Sequence, residues 1–402
     1  MTIDREARVP APPGADVISP VAIIEPVGGH AGMNNYDIEL ARGLYQAGVH
    51  SRLYTCDETV EVSEPGITIL KPFKGLYGAG LKPLRGLRFL IGLFVAAFDA
   101  RRHKVRVVHL HYFQYGVREL ACCIVLKILG MKIVATAHDI NPLSSPEGID
   151  LFKTIVGLTG QLIVHNKFSA RILIDKAGTS FPLPPVSVIN IGNFLSSISL
   201  TDQADARRSL SLSGEEPVLL FFGQIKPEKG LAELLGAFAI HKQRGGPGRL
   251  LVAGRPMSHD PLDYQQIAGE LGISEYVKFE LRYIPEEDTS LYFAAADLIV
   301  LPYREIYQSA VLIMAMSYGR AVLVSDLPAM VEIIGDGVNG LTFRAGDSGS
   351  LADALGRALA DTGRLAELGL VAAEDMRENY SWKKVGERTS EVYSSSLQQP
   401  VH

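Results

Sequence analysis

Runs of consecutive apolar residues that end in glycine-marked turns and pass into helical spacing recur along this sequence. They restrict the fold more than any other feature. The first, Val21-Ala22-Ile23-Ile24-Glu25-Pro26, meets Gly28-Gly29-His30-Ala31-Gly32, and residues 36–47 then carry Ile38, Leu40, Leu44 and Tyr45 on neighbouring turns. Strand, glycine loop and helix in that order open a doubly wound sheet. The cycle repeats at 105–111, through a helix to Leu129, and at 132–138, with further runs at 161–164 and 186–191. These strands are apolar throughout rather than alternating, so the sheet they predict is covered on both faces.

A polar stretch, 196–216, interrupts the rhythm, which restarts at 217–223 and continues at 250–253, 277–281, 297–301, 321–325 and 340–343. With 402 residues available, two α/β domains follow. We expect a first domain over 1–197, with 1–18 a disordered polar leader, and a second over 213–380. A final segment, 381–402, opens a helix whose packing stripe is Trp382, Val385, Val392 and Tyr393. The leader has no apolar core of a signal peptide and no apolar run approaches the roughly 20 residues of a membrane span, so a cytoplasmic address is expected. Three cysteines, Cys56, Cys122 and Cys123, cannot make a disulfide framework, and the adjacent pair reads as small core residues.

Two segments of the second half carry the chemistry. Phe222-Gly223-Gln224-Ile225-Lys226-Pro227-Glu228-Lys229-Gly230 runs from a strand through a glycine turn into a helix from Leu231. A helix start offers free N–H groups and partial positive charge to an anion, and Lys229 adds a full charge, a combination that suits a diphosphate. Further on, Pro302-Tyr303-Arg304-Glu305-Ile306-Tyr307-Gln308-Ser309-Ala310 leads into a second helix start, followed by a strand and Ser325-Asp326-Leu327-Pro328.

With these residues in view, the sequence resembles the group-1 glycosyltransferases, family 4 of the retaining enzymes. The resemblance is carried by 223–230, by Tyr283-Ile284-Pro285 through Pro302-Tyr303, and by 309–340. Gly28-Gly29, Thr136-Ala137-His138-Asp139 and the helix from Trp382 resemble the family's remaining features. The resemblance implies the α/β GT-B fold: two Rossmann-like doubly wound domains facing a central cleft, with the C-terminal helix crossing back to the first. It also implies site roles. Lys229 stands where the family holds the donor diphosphate, and His138 where it places an active-site histidine. Gly28 and Gly29 stand in the loop over the donor or acceptor, and Ser309 and Ala310 at the helix start that meets the diphosphate and sugar. Gly223, Gln224, Tyr283 and Ile284 complete the expected donor set.

The chain also departs from the family. Gln224 replaces a frequent arginine, and the slots of the family's paired glutamates fall on Ile306 and Met314. Glu305, one residue from the first slot, is then the expected contact to a sugar hydroxyl. His138 and Asp139 are the other expected catalytic groups. Asp139 suits either acid–base work or a cap on the turn before Asn141-Pro142. His109 and His111 share one strand face and read as packing rather than a metal pair, while His165-Asn166 fits either the cleft or a hydrogen-bonded loop. The sequence contains no Asp-x-Asp, so neither a metal nor a separate cofactor is expected. The donor implied is a UDP- or GDP-sugar, and a retaining course is favoured over an inverting one.

Composition masks one local feature. The chain carries 39 basic and 44 acidic residues, net −5, which predicts no nucleic-acid partner. Yet nine basic residues lie between Lys71 and Arg106 against Asp99 alone, a segment of +8. Lys82, Arg85, Arg88, Arg101 and Arg102 flank the apolar Phe89-Leu90-Ile91-Gly92-Leu93-Phe94-Val95-Ala96-Ala97-Phe98. Basic flanks around an apolar helix suit an anionic membrane surface, and a buried helix with a charged rim is the alternative. Peripheral attachment to the inner face of the cell membrane follows from the first reading. The function expected is hexose transfer from a nucleotide-sugar to a saccharide acceptor such as a polyprenyl-diphosphate-linked oligosaccharide, in exopolysaccharide or lipopolysaccharide assembly. A non-catalytic sugar-nucleotide or glycan-binding partner subunit is the competing class. An epimerase on the same fold is disfavoured, because its acidic set is missing.

Overall fold

The structure, a computed structural model, describes residues 20–28, 32–76, 81–140, 151–199, 201–212, 215–257 and 262–398. The leader 1–18 and the glycine-loop residue Gly29 lie outside the described residues, as does the side chain of Lys82. Two compact units emerge, one made of residues up to Gly192 together with Trp382 onward, the other of Asn193–Ser381.

In the first unit the order is β1 Val21–Glu25, α1 Met33–Gln46, β2 Ser51–Cys56, β3 Ile67–Phe73, α2 Lys82–Arg102 and β4 Val107–Tyr112. There follow α3 Val117–Ile128, β5 Lys132–Ala137, α4 Phe152–Leu158, β6 Gln161–Val164, α5 Lys167–Ala177 and β7 Val186–Val188. These strands form one sheet ordered β3-β2-β1-β4-β5-β6-β7, parallel throughout. The central β1 and β4 are buried along their whole length. Two-residue alternation divides β1 between two cores. Ala22 and Ile24 pack toward α2 and α3, whereas Val21 and Ile23 pack toward α1. Cys122 and Cys123 lie in the first of these cores.

Strands β2 and β3 had no counterpart among the apolar runs. β2 carries the polar Ser51, Arg52 and Thr55; Arg52 pairs with Asp99 at 2.6 Å and Thr55 with Thr59 at 2.6 Å. β3 is an edge strand, half-buried along most of its length, which relieves it of the need for an apolar outer face.

The second unit runs α6 Gln203–Ser209, β8 Val218–Phe222, α7 Leu231–Gln243, β9 Arg249–Ala253, α8 Tyr264–Glu270, β10 Val277–Glu280, α9 Glu286–Ala295 and β11 Leu298–Leu301. It continues through α10 Ala310–Ser317, β12 Ala321–Ser325, α11 Pro328–Val331, β13 Leu341–Phe343, α12 Ser348–Leu359 and α13 Thr362–Asn379. Its sheet is ordered β10-β9-β8-β11-β12-β13. The polar stretch expected between domains belongs wholly to this unit. Asn193 donates from its backbone to Tyr380 O at 2.7 Å, Phe194 N–H to Ser317 Oγ at 3.0 Å, and Arg207 pairs with Asp297 at 2.5 Å. Asp202 caps α6 by accepting from Ala204 and Asp205.

The chain then returns to the first unit as α14 Trp382–Gln398. Trp382, Val385, Val392 and Tyr393 join Leu40, Ala41 and Leu44 of α1 in the core on that face of the sheet. The two helices approach closely enough that backbone meets backbone. A Cβ at Gly43 would collide with the Trp382 carbonyl, and one at Gly386 with the backbone of Gly43. We expect Gly43→Val to lower stability by roughly 3 kcal/mol, the upper range for overpacking. Gly86→Ala on α2, where a Cβ meets nothing within 4 Å, should instead be neutral or stabilising by about 1 kcal/mol. Thermal melts of both variants test the pair; equal melting temperatures would contradict the packing.

Candidate active site

In an open parallel sheet, ligands bind beyond the carboxyl ends of the strands where the strand order reverses. That point lies between β1 and β4 in the first unit and between β8 and β11 in the second.

At the first unit's reversal, β1 ends in Glu25 and turns at Gly28. Glycine is required there, because a Cβ would collide with Thr55 Oγ1 and press on Thr59 Oγ1. Glu25, Phe89, His111, Phe113 and Arg118 line a cleft at this edge. Beside it, four histidines meet on neighbouring strands. His138 follows β5, with its backbone N–H donating to Tyr112 O at 2.9 Å. Its ring is buried, with Nε2 at 2.9 Å from His111 Nδ1 and Nδ1 at 3.3 Å from His165 Nε2. Phe113 stacks on one face at 4.6 Å and Tyr36 meets the ring edge-on at 5.2 Å. Both ring nitrogens thus have protein partners. His138, expected as a catalytic group, is thus held by His111 on one side and His165 on the other.

His109 and His165 are equally engaged. His109 and His111 stack at 4.9 Å on one face of β4. His109 bonds Tyr393 Oη at 2.6 Å and Thr136 Oγ1 at 2.7 Å. His165 donates from Nδ1 to Ile189 O at 2.9 Å, while Asn166 caps α5 by accepting from Ser169 N–H. Asp139 is half-buried, its backbone N–H 3.4 Å from Tyr112 O; Asn141 and Pro142 lie outside the described residues.

Three further members, Glu25, Tyr36 and Asp37, escaped the sequence reading. Their only signal was an acid inside an apolar run and another beside Ile38 on a helix that buries one face. Desolvation dominates this cluster. It pushes Glu25 up to about 8 and Asp37 well above the carboxylate range, and it holds His138 and His111 well below the usual imidazole value. His165 falls to about 4 and His109 to about 3 for the same reason.

The second unit's reversal is built differently. After β8, Gly223 takes φ of 109° and Gln224 is exposed. A single 3-10 turn, Pro227–Lys229, follows, and Gly230 at φ 71° starts α7. Only glycine fits at 230, because a Cβ would strike the Pro302 carbonyl of the neighbouring loop. That loop is fixed to the first: Arg304 N–H donates to Glu228 O at 2.9 Å, and its guanidinium pairs with Glu233 at 3.1 Å. Lys229 Nζ lies 3.8 Å from the centroid of the buried Tyr303 ring. Ser309 caps α10, its Oγ accepting from Leu312 N–H at 3.1 Å, and Ala310 is exposed at the helix start. The structure therefore brings Gly223, Lys229, Ser309 and Ala310 to two helix starts on adjacent strands. Tyr283 is exposed and Ile284 buried just before α9; Glu305 is exposed on the β11–α10 loop. Ile306 and Met314 pack against the hydrocarbon core, which explains why acids are not needed in those positions for folding.

Two parallel doubly wound sheets, each with its loops gathered at a strand-order reversal, and a last helix that rejoins the first sheet, define the GT-B architecture. A family model described as "Glycosyl transferases group 1" matches residues 216–361, and one described as "Glycosyltransferase Family 4" matches 30–192. The chain belongs to the group 1 glycosyltransferases. It is 29% identical over 396 residues to a D-inositol 3-phosphate glycosyltransferase of Nocardia farcinica, covering 92% of this chain and 86% of that one. Among solved structures it resembles a sucrose-phosphate synthase from Thermosynechococcus elongatus (TM-score 0.76, 20% identity, 94% of this chain and 99% of that one). It also resembles Anabaena HepE in complex with UDP and glucose (TM-score 0.71, 19% identity, 94% and 100% of the chains).

The buried cluster makes stability pH-dependent in a stated direction. Unfolded histidines take up protons near 6.5, whereas His165 and His109 resist until about 4 and about 3. Their contribution is complete above about 6.5 and is lost as pH falls toward those values. Glu25 acts oppositely: its contribution is complete below 4.5 and is lost as pH rises to about 8. We expect the melting temperature of the first unit to fall steeply between pH 6.5 and 4. His165→Asn, which keeps a donor for Ile189 O, should flatten that limb in calorimetry; an unchanged slope would contradict the assignment.

Proposed function

We propose that the protein transfers a hexose from a nucleoside diphosphate sugar to a lipid-linked saccharide at an anionic membrane surface, in polysaccharide assembly. The observation that carries the donor is the pairing of two helix starts, α7 and α10, with Lys229 at the second unit's reversal. Helix N-termini and a lysine suit a diphosphate, and Anabaena HepE, bound to UDP, shares the fold. Gln224 and the exposed Glu305 are the side chains offered to the sugar and its phosphates. A retaining course fits a first unit whose histidines are neutral and committed to one another, since the donor's own phosphate then serves as base toward the acceptor hydroxyl.

Helix α2 supports the membrane part of the reading. One stripe, Phe89, Leu93, Ala96, Ala97 and Ala100, is buried, and Gly92 admits Phe73 against the helix. The opposite stripe, Leu84, Leu87, Ile91, Phe94, Val95 and Phe98, faces solvent, with Phe98 71% exposed. Arg88, Arg101 and Arg102 are exposed around it and Arg85 is half-buried. Among the described residues no helix is long and apolar enough to cross a membrane, so attachment would be by this face lying in the interface. Each bulky side chain withdrawn from water gains about 2 kcal/mol, and each arginine near anionic lipid adds about 1 kcal/mol.

Two measurements test these parts separately. Lys229→Ala should weaken donor binding by roughly tenfold or more, as loss of a charge-assisted phosphate contact does; unchanged binding and turnover with UDP- and GDP-sugars would remove the donor assignment. Replacing Arg85, Arg88, Arg101 and Arg102 by Ser should weaken binding to phosphatidylglycerol vesicles by roughly 1,000-fold. Equal binding by that variant would remove the membrane. Absence of transfer from any donor to membrane lipid extracts would favour a glycan-binding partner subunit, the reading that Ile306 and Met314 otherwise suggest.

A further inference from the structure

The side chains running from Asp37 through His111 and His138 to His165 have a hydrogen-bond direction fixed at one end. The Ile189 carbonyl only accepts, so His165 Nδ1, 2.9 Å away, carries a proton. A neutral imidazole has one N–H, which leaves His165 Nε2 as an acceptor. His138 Nδ1, 3.3 Å from it, must then donate, and His138 Nε2 must accept from His111 Nδ1 at 2.9 Å. His111 Nε2 is left as a buried lone pair. The group facing it is the Asp37 carboxyl, with Oδ1 at 3.4 Å. Both Asp37 oxygens and His111 Nε2 are buried without a hydrogen-bond partner among the described residues, so the two groups face each other at 3.4 Å as unpaired neighbours.

We propose that Asp37 is a positioning residue whose carboxyl supplies the proton that completes this row, locking His111, His138 and His165 as Nδ1–H tautomers beneath the first unit's reversal. Three imidazole protons account for the contacts from His111 to the Ile189 carbonyl, and a carboxyl proton on Asp37 is the one donor facing the lone pair left at His111 Nε2. Passing the carboxyl proton to His111 Nε2 gives an imidazolium–carboxylate pair with the same total. Burial of both groups favours the neutral arrangement, since separated charge is costly away from water. The titratable neighbours reinforce this. Glu25 of β1 disfavours a second negative charge at Asp37, and His109 on β4 with His138 and His165 beyond it disfavour a positive one at His111. Tyr36 of α1, next in sequence to Asp37, and Tyr393 of α14, bonded to His109, are both held as neutral phenols. His111 and Glu25 also line the cleft at the reversal, so the row joins that cleft to the His138 position through neutral donors and acceptors.

The test has a spectroscopic arm and a kinetic arm, and only the second rests on the proposed sugar transfer. In the full-length protein labelled with 15N-histidine at pH 7, long-range 1H–15N spectra should show His111, His138 and His165 as Nδ1–H, the minor form of free imidazole. The Asp37 carboxyl carbon should show the shift of a protonated acid. An Nε2–H form at His111 or His138, or an ionised Asp37 beside neutral rings, overturns the proposal without any variant or substrate. Asp37→Asn, whose amide can donate to Nε2, should preserve the three tautomers, whereas Asp37→Leu should not. In sugar transfer, Asp37→Leu should lower kcat by roughly tenfold or more at unchanged donor KM, with Asp37→Asn recovering most of the loss. Retention of the tautomers and of the pH–rate profile in Asp37→Leu would overturn the role.

Discussion

A parallel sheet must be covered on both faces, and in this protein that requirement sets everything else. Helices shield β1 and β4 in one unit and β8 and β11 in the other, leaving only the strand ends for polar chemistry. Crossovers leave in opposite directions at one position in each sheet, and a crevice opens there without any special design. Gly28, Glu25 and His111 gather at the first such position, Gly223, Lys229 and Ser309 at the second. Loop residues thus inherit their placement from apolar residues that never meet a ligand.

The two reversals solve the same problem with opposite electrostatics. In the second unit, partial charges of helix starts and one lysine lie open to solvent and suit a strong anion. In the first, burial works against charge: desolvation raises the carboxyls Glu25 and Asp37 and lowers the imidazole of His138. A neutral hydrogen-bonded row in a low-dielectric interior is stiff, because any rotation strands a buried donor or acceptor.

Much of this was legible in the sequence. Apolar runs and glycine turns gave the two sheets, and Lys229 with Ser309 marked the helix starts correctly. The edge pair β2 and β3 was not legible, because Arg52 and Thr55 find their partners, Asp99 and Thr59, only once the chain has folded. The buried row was missed for a related reason. His109, His111, His138 and His165 are separated along the chain and meet only across adjacent strands, and Asp37 reaches His111 only when α1 packs on the sheet. The polar stretch 196–216 is used inside the second unit, where Asp202 caps α6 and Arg207 pairs with Asp297.

The return of α14 has a consequence for how the protein comes into being. Trp382, Val385, Val392 and Tyr393 seal one face of the first sheet, yet they are made only after the entire second unit has been translated. Until they emerge, Val21, Ile23 and Leu53 lack half their cover. The second unit, with contiguous sequence and its own two cores, has no such wait. Order of synthesis and order of completion are therefore reversed: the half that is made first is finished last, and a ribosome stalled near its end holds a chain whose N-terminal half is the exposed one.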